Sequence, residues 1–591
     1  MLQEMRWVSV NLETLVNARA ARPRPNLLRI NVDTSMRLAT LFLLLVLGPA
    51  MAWAQGSPTW QQRVSYTMDI TVRPDVHQYD GIQNLVYENN SPDTLHHVYY
   101  HLYFNAFQPT SMMAERNRHL PDPDGRTAPR IFNLKPDEIG YHRVTSLQQD
   151  GRTTAFELHD TVLKVTLVEP IPPGGSSVFD MEYTSQVPLQ TRRSGRDSRE
   201  GVDFSMSQWY PKMAAYDERG WHADPYVGRE FYAPFGTFDV SITIDSSYVL
   251  GATGVLQNPE EIGHGYGLDS LQGAATDAAR LTWHFVAENV HDFAWVADED
   301  YIHERFDGPF DIDLHLLYLP DVADRWKHMR EDTYNIIEYL SNRAGIYAYP
   351  QFTVAQAGDG GMEYPMINFI TGVRSRGSLA GVTAHEAAHE WFYAMLGSNE
   401  ADYAWMDEGF TSYISGEAMA ALFPRGTAGY SGAALSVMAI NALGHGERLN
   451  TPSDWFEKNR AYGTAAYSGG AMIADMLGYV MGDSLRDEWM REYVRRFTFK
   501  HPNPYDVEKV AEDVSGLRLD WFFEQFTNDT KPLDYAVVDL TARPSGNGGY
   551  EMALTLERKT PVVMPVDVRV DLADGTTQWV TIPTNEMLGA K

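Results

Sequence analysis

No cysteine occurs anywhere in the 591 residues. Disulfides, thiolate metal sites and cysteine nucleophiles are therefore excluded, and any transition-metal site has to be built from His, Asp and Glu. Positive charge is also scarce: 48 Lys and Arg face 78 Asp and Glu, a formal net charge of −30. A surface of that sign repels nucleic acid and anionic lipid, so neither is expected as a partner. Long apolar runs are lacking, with one exception. MRLATLFLLLVLGPAMAWAQ, Met36 to Gln55, has a basic start, an apolar middle and a small-x-small ending at Ala52-Trp53-Ala54, which reads as an export signal. The run is short for a span of ~20 residues, and a membrane anchor stands as the alternative. Residues 1–54 are thus expected to be an extension plus a signal at 36–54, and the mature chain to be periplasmic or extracellular with no stable membrane association. The acidic excess is not a mark of disorder, because aromatic residues make up 12% and hydrophobic residues 44%, enough to bury several cores.

What is present changes character along the chain. From 55 to 307, alternating runs such as VSYTMDITV, HHVYYHLYF and FDVSITI, parted by Gly, Pro, Asn and Asp turns, predict an antiparallel β domain. From 308 to 530 helical periodicity takes over, as in DVADRWKHMREDTYNIIEYLSNRAG with its closing Gly. From 531 to 591 alternation returns with Asn-Gly and Asp-Gly turns, predicting a small β-sandwich, whole or cut short at Lys591. The expected class is multidomain α+β.

Within the helical part stands HEAAHEWF, residues 385 to 392. On a helix His385 and His389 lie one turn apart on the same face, the spacing that lets two imidazoles hold one metal ion. Such a string also arises by chance, so a third ligand has to decide. Glu408 follows after 18 intervening residues in WMDEGFTSYISGEAMAALF, and Gly397 and Asn399 between them end one helix and start the next. Two packed antiparallel helices would bring Glu408 beside the His pair, giving a zinc site with an open position. Glu386 is the carboxylate of the motif left free to take a proton from water.

HEAAHEWF, the gap, WMDEGFTSY and the preceding GGMEYP, Gly360 to Pro365, together resemble the aminopeptidase N and leukotriene hydrolase branch of the gluzincin metallopeptidases, over nearly the whole mature chain. The resemblance implies a β saddle domain, a thermolysin-like catalytic domain and a small β-sandwich. It implies one Zn2+ per chain on His385, His389 and Glu408, with Glu386 as general base. It also implies that Glu363 grips the substrate's free α-amine, while Gly360, Gly361 and Met362 line the strand along which the substrate backbone lies. The family's oxyanion donor matches Tyr467 in AYSGGA, with Gly469 where Lys is usual and Tyr462 as the fallback. Gln208 in FSMSQWYPK matches a second amine anchor, whereas Glu230 in REFYAPFG reads as structural. Longer members carry a superhelical domain that has no counterpart after Thr530 in this sequence.

The predicted function is a zinc-dependent aminopeptidase acting on peptides with a free N-terminus. A zinc endopeptidase on the same site, indifferent to Glu363, and a catalytically silent peptide-binding homologue are the alternatives. Asp359 is a candidate for favouring basic residues at the first substrate position. His222, His445 and His501 read as satisfied surface or core groups, and Trp391 and Trp405 as packing for the ligand helices.

Overall fold

The structure, a computed structural model, describes residues 8–10, 60–267, 273–423, 430–545, 549–572 and 574–585. The expected export signal, 36–54, lies outside the described residues. The chain divides into a compact unit over Gly56–Thr530 and a second unit that contains Lys531–Lys591.

Alternation along the sequence becomes alternation of burial in the first unit. In Arg63–Arg73, Val64, Tyr66, Met68, Ile70 and Val72 are buried and the residues between them face outward, the pattern of a sheet with one covered face. This strand lies in an eight-stranded sheet with Gln78–Glu88, Ser176–Gln186 and Tyr141–Gln149 on one side and Gly236–Asp245 and Arg280–Val290 on the other. The expectation of a wholly antiparallel domain needs one correction: Gly236–Asp245 runs parallel to Arg63–Arg73. A parallel neighbour requires a long crossover, and the intervening residues supply it, adding three further long strands to this sheet and building a four-stranded sheet from Leu95–His101, Ala155–His159, Val162–Ile171 and Lys212–Met213 on the way.

The strand Ile302–Asp307 (β1) was expected to end the β domain, yet it is the outer strand of the next sheet. That sheet continues with Asp313–Tyr318 (β2), Gln351–Gln356 (β3), Gly361–Tyr364 (β4) and Ile367–Ile370 (β5), in the spatial order β1-β2-β3-β5-β4. β4, the GGMEYP strand, is therefore an edge strand. The helices that matter for the site are Met329–Ala344 (α1), Arg376–His389 (α2), Phe410–Leu422 (α3) and Gly470–Met481 (α4). One hydrophobic core runs from Tyr103, Phe107 and Val296 of the β part to Leu317, Met362 and Phe369 of this sheet, so the two parts are packed together.

In the second unit Tyr535–Pro544 pairs with Tyr550–Arg558, and Val566–Asp571 pairs with Thr577–Ile582. The short strand Val8–Val10 adds to the latter pair in parallel. No helix among the described residues is long and apolar enough to cross a membrane.

Candidate metal and substrate site

α2 begins at Ser375, whose side chain caps it by accepting from the Ser378 amide. Its last turn carries His385, Glu386 and His389. The chain then passes through a π-helical turn at Glu390–Met395 and a short helix capped by Asn399, and enters a second π-helical turn, Trp405–Gly409, that carries Glu408. π-helical turns are rare and are frequently found at functional sites. Phe392 against Phe410, with ring centroids 5.8 Å apart, locks the end of α2 to the start of α3. Trp391 and Trp405 are fully buried, but each serves its own neighbour: Trp391 donates to Gly345 O at 2.7 Å and Trp405 to Asn450 at 2.9 Å.

This brings three donor atoms to one place. His385 Nε2 lies 3.1 Å from Glu408 Oε2, His389 Nε2 lies 3.3 Å from the same oxygen, and the two nitrogens are 3.3 Å apart. Ligand atoms on a tetrahedral zinc, at ~2.0–2.1 Å from the metal, lie about 3.3–3.4 Å from each other. The set therefore fits a zinc ion with three protein ligands. The tautomer agrees: His389 Nδ1 is 2.5 Å from Asp407 Oδ1 and 3.2 Å from Thr411 Oγ1. An Nδ1–H donated to Asp407 leaves the Nε2 lone pair facing the other two donors. Asp407, directly before Glu408, was not singled out from sequence; an acid beside a ligand acid was the available signal. Burial alone would raise the Glu408 carboxyl, but hydrogen bonds from His385 and His389 outweigh it and hold it well below the usual range.

Glu386 lies against β4. A Cβ added to Gly361 would fall 2.1 Å from Glu386 Oε1, so this glycine is needed to make room for the carboxylate. Gly360 has φ +103° and open space around its Cα; it is needed for the turn into β4. Burial, then the charge of Glu363, pushes the Glu386 carboxyl well above its ordinary range. Glu363 itself is buried at 5% exposure and raised by that burial. Met362 points the other way, into the core, where its thioether sulfur accepts from the Arg193 guanidinium. Only its backbone, on the free edge of the sheet, is left for a substrate.

Tyr467 sits on a third π-helical turn, Thr464–Gly469, just before α4. Its ring stacks on His385 with centroids 5.7 Å apart and planes 15° apart. The residue is 37% exposed, and burial of the phenol and then the Glu408 carboxylate push its pKa well up. Tyr462 does not share this position, because its hydroxyl donates to Glu230 Oε1.

Two sequence readings of the substrate side are corrected here. Gln208 is not available to a substrate: it is buried, donates to Asp292, accepts from Lys212 at 3.4 Å, and holds φ +52° inside that network. Glu230, read as structural, is held by protein partners on both oxygens but lies close enough to the site for its charge to matter there. Its Oε2 accepts from Arg193 at 2.7 Å, its Oε1 accepts from Tyr462, and its charge is felt by both Glu363 and Tyr467. Asp359 is likewise consumed, by the Arg192 guanidinium and the Arg193 amide at 2.8 Å. His222 pairs with Asp217 at 2.7 Å and His501 faces Gly397 O at 2.6 Å, as expected of satisfied groups.

Comparison with known proteins follows the same lines. Residues 327–526 match the peptidase family M1 domain. Mouse aminopeptidase B is 29% identical over 178 residues, covering 28% of this chain and 26% of that protein. Probable aminopeptidase 1 of Sulfurisphaera tokodaii is 24% identical over 190 residues, covering 30% and 23%. The matched segments thus span about a quarter of these relatives' length. The M1 zinc metallopeptidase of Deinococcus radiodurans shares the fold with a TM-score of 0.56 at 16% identity, covering 82% of this chain and 97% of that one. A variant of that peptidase with a Tyr-Ser-Ala substrate bound is similar at a TM-score of 0.55 and 16% identity, covering 80% and 95%. The ligand triangle, the acid of the edge strand and the tyrosine all lie within the segment, residues 327–526, that matches the peptidase family M1 domain.

Proposed function

We propose that the protein is a zinc-dependent aminopeptidase that removes residues from the free N-termini of peptides. The observation that carries this reading is the pairing of a three-ligand metal triangle with buried acids, Glu363 and Glu230, beside it. Glu363, buried and with its carboxyl raised by that burial, calls for a cationic partner, and a peptide's terminal ammonium is one of fixed position relative to the first peptide bond.

His385, His389 and Glu408 would hold the zinc, which when bound polarises the scissile carbonyl and acidifies a water. Glu386 accepts that water's proton and later delivers it to the leaving amine. Tyr467 OH donates to the oxyanion as it develops. The substrate backbone lies along the free edge of β4 as an added strand, and Glu363 and Glu230 hold the ammonium and so place the first peptide bond at the metal. An exported location, resting on Met36 to Ala54, is part of the same proposal; fractionating cells that express the chain with and without residues 1–54 tests it.

The decisive experiment is hydrolysis of one short peptide with its amine free and with it acetylated, before chelation, after it, and after zinc is restored. Cleavage of the free peptide alone, and only with metal, is expected. Equal cleavage of both peptides would leave the metal site but make the protein an endopeptidase. No cleavage by folded, zinc-loaded protein would leave a peptide-binding homologue.

A further inference from the structure

Tyr462 sits five residues before Tyr467, and its ring packs on Phe456 at 5.5 Å, yet its polar contacts come from the β part. Its hydroxyl donates to Glu230 Oε1, and its ring lies under the Arg229 guanidinium, 4.6 Å from the centroid. Arg229, buried, also donates to the Ser453 carbonyl, to Phe456 O at 3.5 Å and to Asn459 Oδ1 at 3.2 Å. Two adjacent residues of one β-part loop thus grip the segment that leads into the Tyr467 turn, one by charge over a ring, the other by a hydrogen bond.

Glu230 is fixed from the opposite side too. Arg193 Nη2 donates to its Oε2 at 2.7 Å and to Arg229 O at 2.8 Å, while the same guanidinium bonds Met362 of β4. The carboxylate therefore has one oxygen tied to the strand that carries Glu363 and the other tied to the segment that carries Tyr467. Without the Tyr462 bond, Oε1 would be free to rotate about the Arg193 contact.

We propose that Tyr462 is a positioning residue: its hydroxyl aims Glu230 at the substrate's ammonium and couples that carboxylate to the turn bearing Tyr467. This rests on the aminopeptidase reading. A hydrogen bond to a charged, buried group fixes orientation strongly enough to change binding of its partner by about tenfold or more. Tyr462→Phe removes only the hydroxyl and keeps the ring under Arg229.

The test is competitive inhibition of the zinc-loaded enzyme by phenylalanine amide and by 3-phenylpropionamide, which lacks only the amine. In the wild type the amine compound is expected to bind more tightly. Tyr462→Phe should weaken it about tenfold or more and leave 3-phenylpropionamide unchanged, with the melting temperature held. Glu230→Asp, which keeps the charge but draws it back from Tyr462, should give the same split, and combining Tyr462→Phe with Glu230→Gln should add little to Glu230→Gln alone. Equal weakening of both compounds would mean a general distortion and would overturn the proposal, as would no change in either or additive losses in the double variant. Should Tyr462→Phe not fold, an unchanged split in Glu230→Asp overturns it alone. If the wild type does not distinguish the two compounds, the aminopeptidase reading itself fails, and this assignment falls with it.

Discussion

The site has two corners of different origin. The metal corner is written within 24 consecutive residues, from His385 to Glu408, on two packed helices. The proposed amine corner is gathered from Arg193, Glu230 and Glu363, which lie on separate segments far apart in the chain and meet only because the β part packs on the β1–β5 sheet. The first is encoded by helical spacing and the second by topology. A chemistry that needs a rigid metal can be carried by a short stretch, whereas measuring one residue from a chain end requires a carboxylate brought in from elsewhere.

The largest separation of the corners is expected from Glu386→Gln. Turnover of a free-amine peptide should fall ~10²- to 10⁴-fold, while zinc content by elemental analysis and inhibition by phenylalanine amide stay near wild type. Loss of zinc in this variant would mean that the carboxylate supports the metal corner as a ligand. Next in size is Asp407→Asn, which removes the acceptor for His389 Nδ1–H. Zinc affinity, read by competition with a chelator, should drop ~10- to 100-fold, and amine discrimination at saturating zinc should persist.

Two residues outside both corners, Gln208 and Asp359, yield a smaller effect and then none. Gln208→Ala should leave KM for a free-amine substrate unchanged, because the side chain serves Asp292 and Lys212 within the β part. Its cost should appear in urea unfolding instead, at about 1–3 kcal/mol for a buried charged pair deprived of a partner. A raised KM with unchanged stability would restore Gln208 to the substrate. Asp359→Ala should not alter the ratio of Arg to Leu aminoacyl hydrolysis, since that carboxylate faces Arg192 and Arg193; a shift in the ratio would place it in the first side-chain pocket.

Legibility in the sequence follows the same divide. The α+β class, the helix pair and the ligand triangle follow from periodicities of two and of three to four, which report local geometry. The parallel pairing of Gly236–Asp245 with Arg63–Arg73 has no local signature, because a strand's own pattern does not name its neighbour. Gln208 was misread for a related reason: an amide in an aromatic run of the β part looks the same whether it faces the cleft or, as here, a buried Asp–Lys pair. Glu230, in an equally aromatic run, was read as structural, and it bridges Arg193 and Tyr462. Gly361 shows a partial success. A glycine on an edge strand was expected to admit a substrate; the atom that requires it is Glu386 Oε1.

Glu408 and Tyr467 both ride on π-helical turns, and a third follows His389 directly. A π turn is an α turn holding one residue more, and each residue of an α-helix advances the chain by ~100°. Shortening Trp405–Gly409 or Thr464–Gly469 by one residue would restore regular helix and swing the functional side chain out of the site without disturbing what lies on either side. The catalytic phase of these helices is thus set by single insertions, and activity in such a fold can be gained or lost by a change of length as readily as by a change of residue.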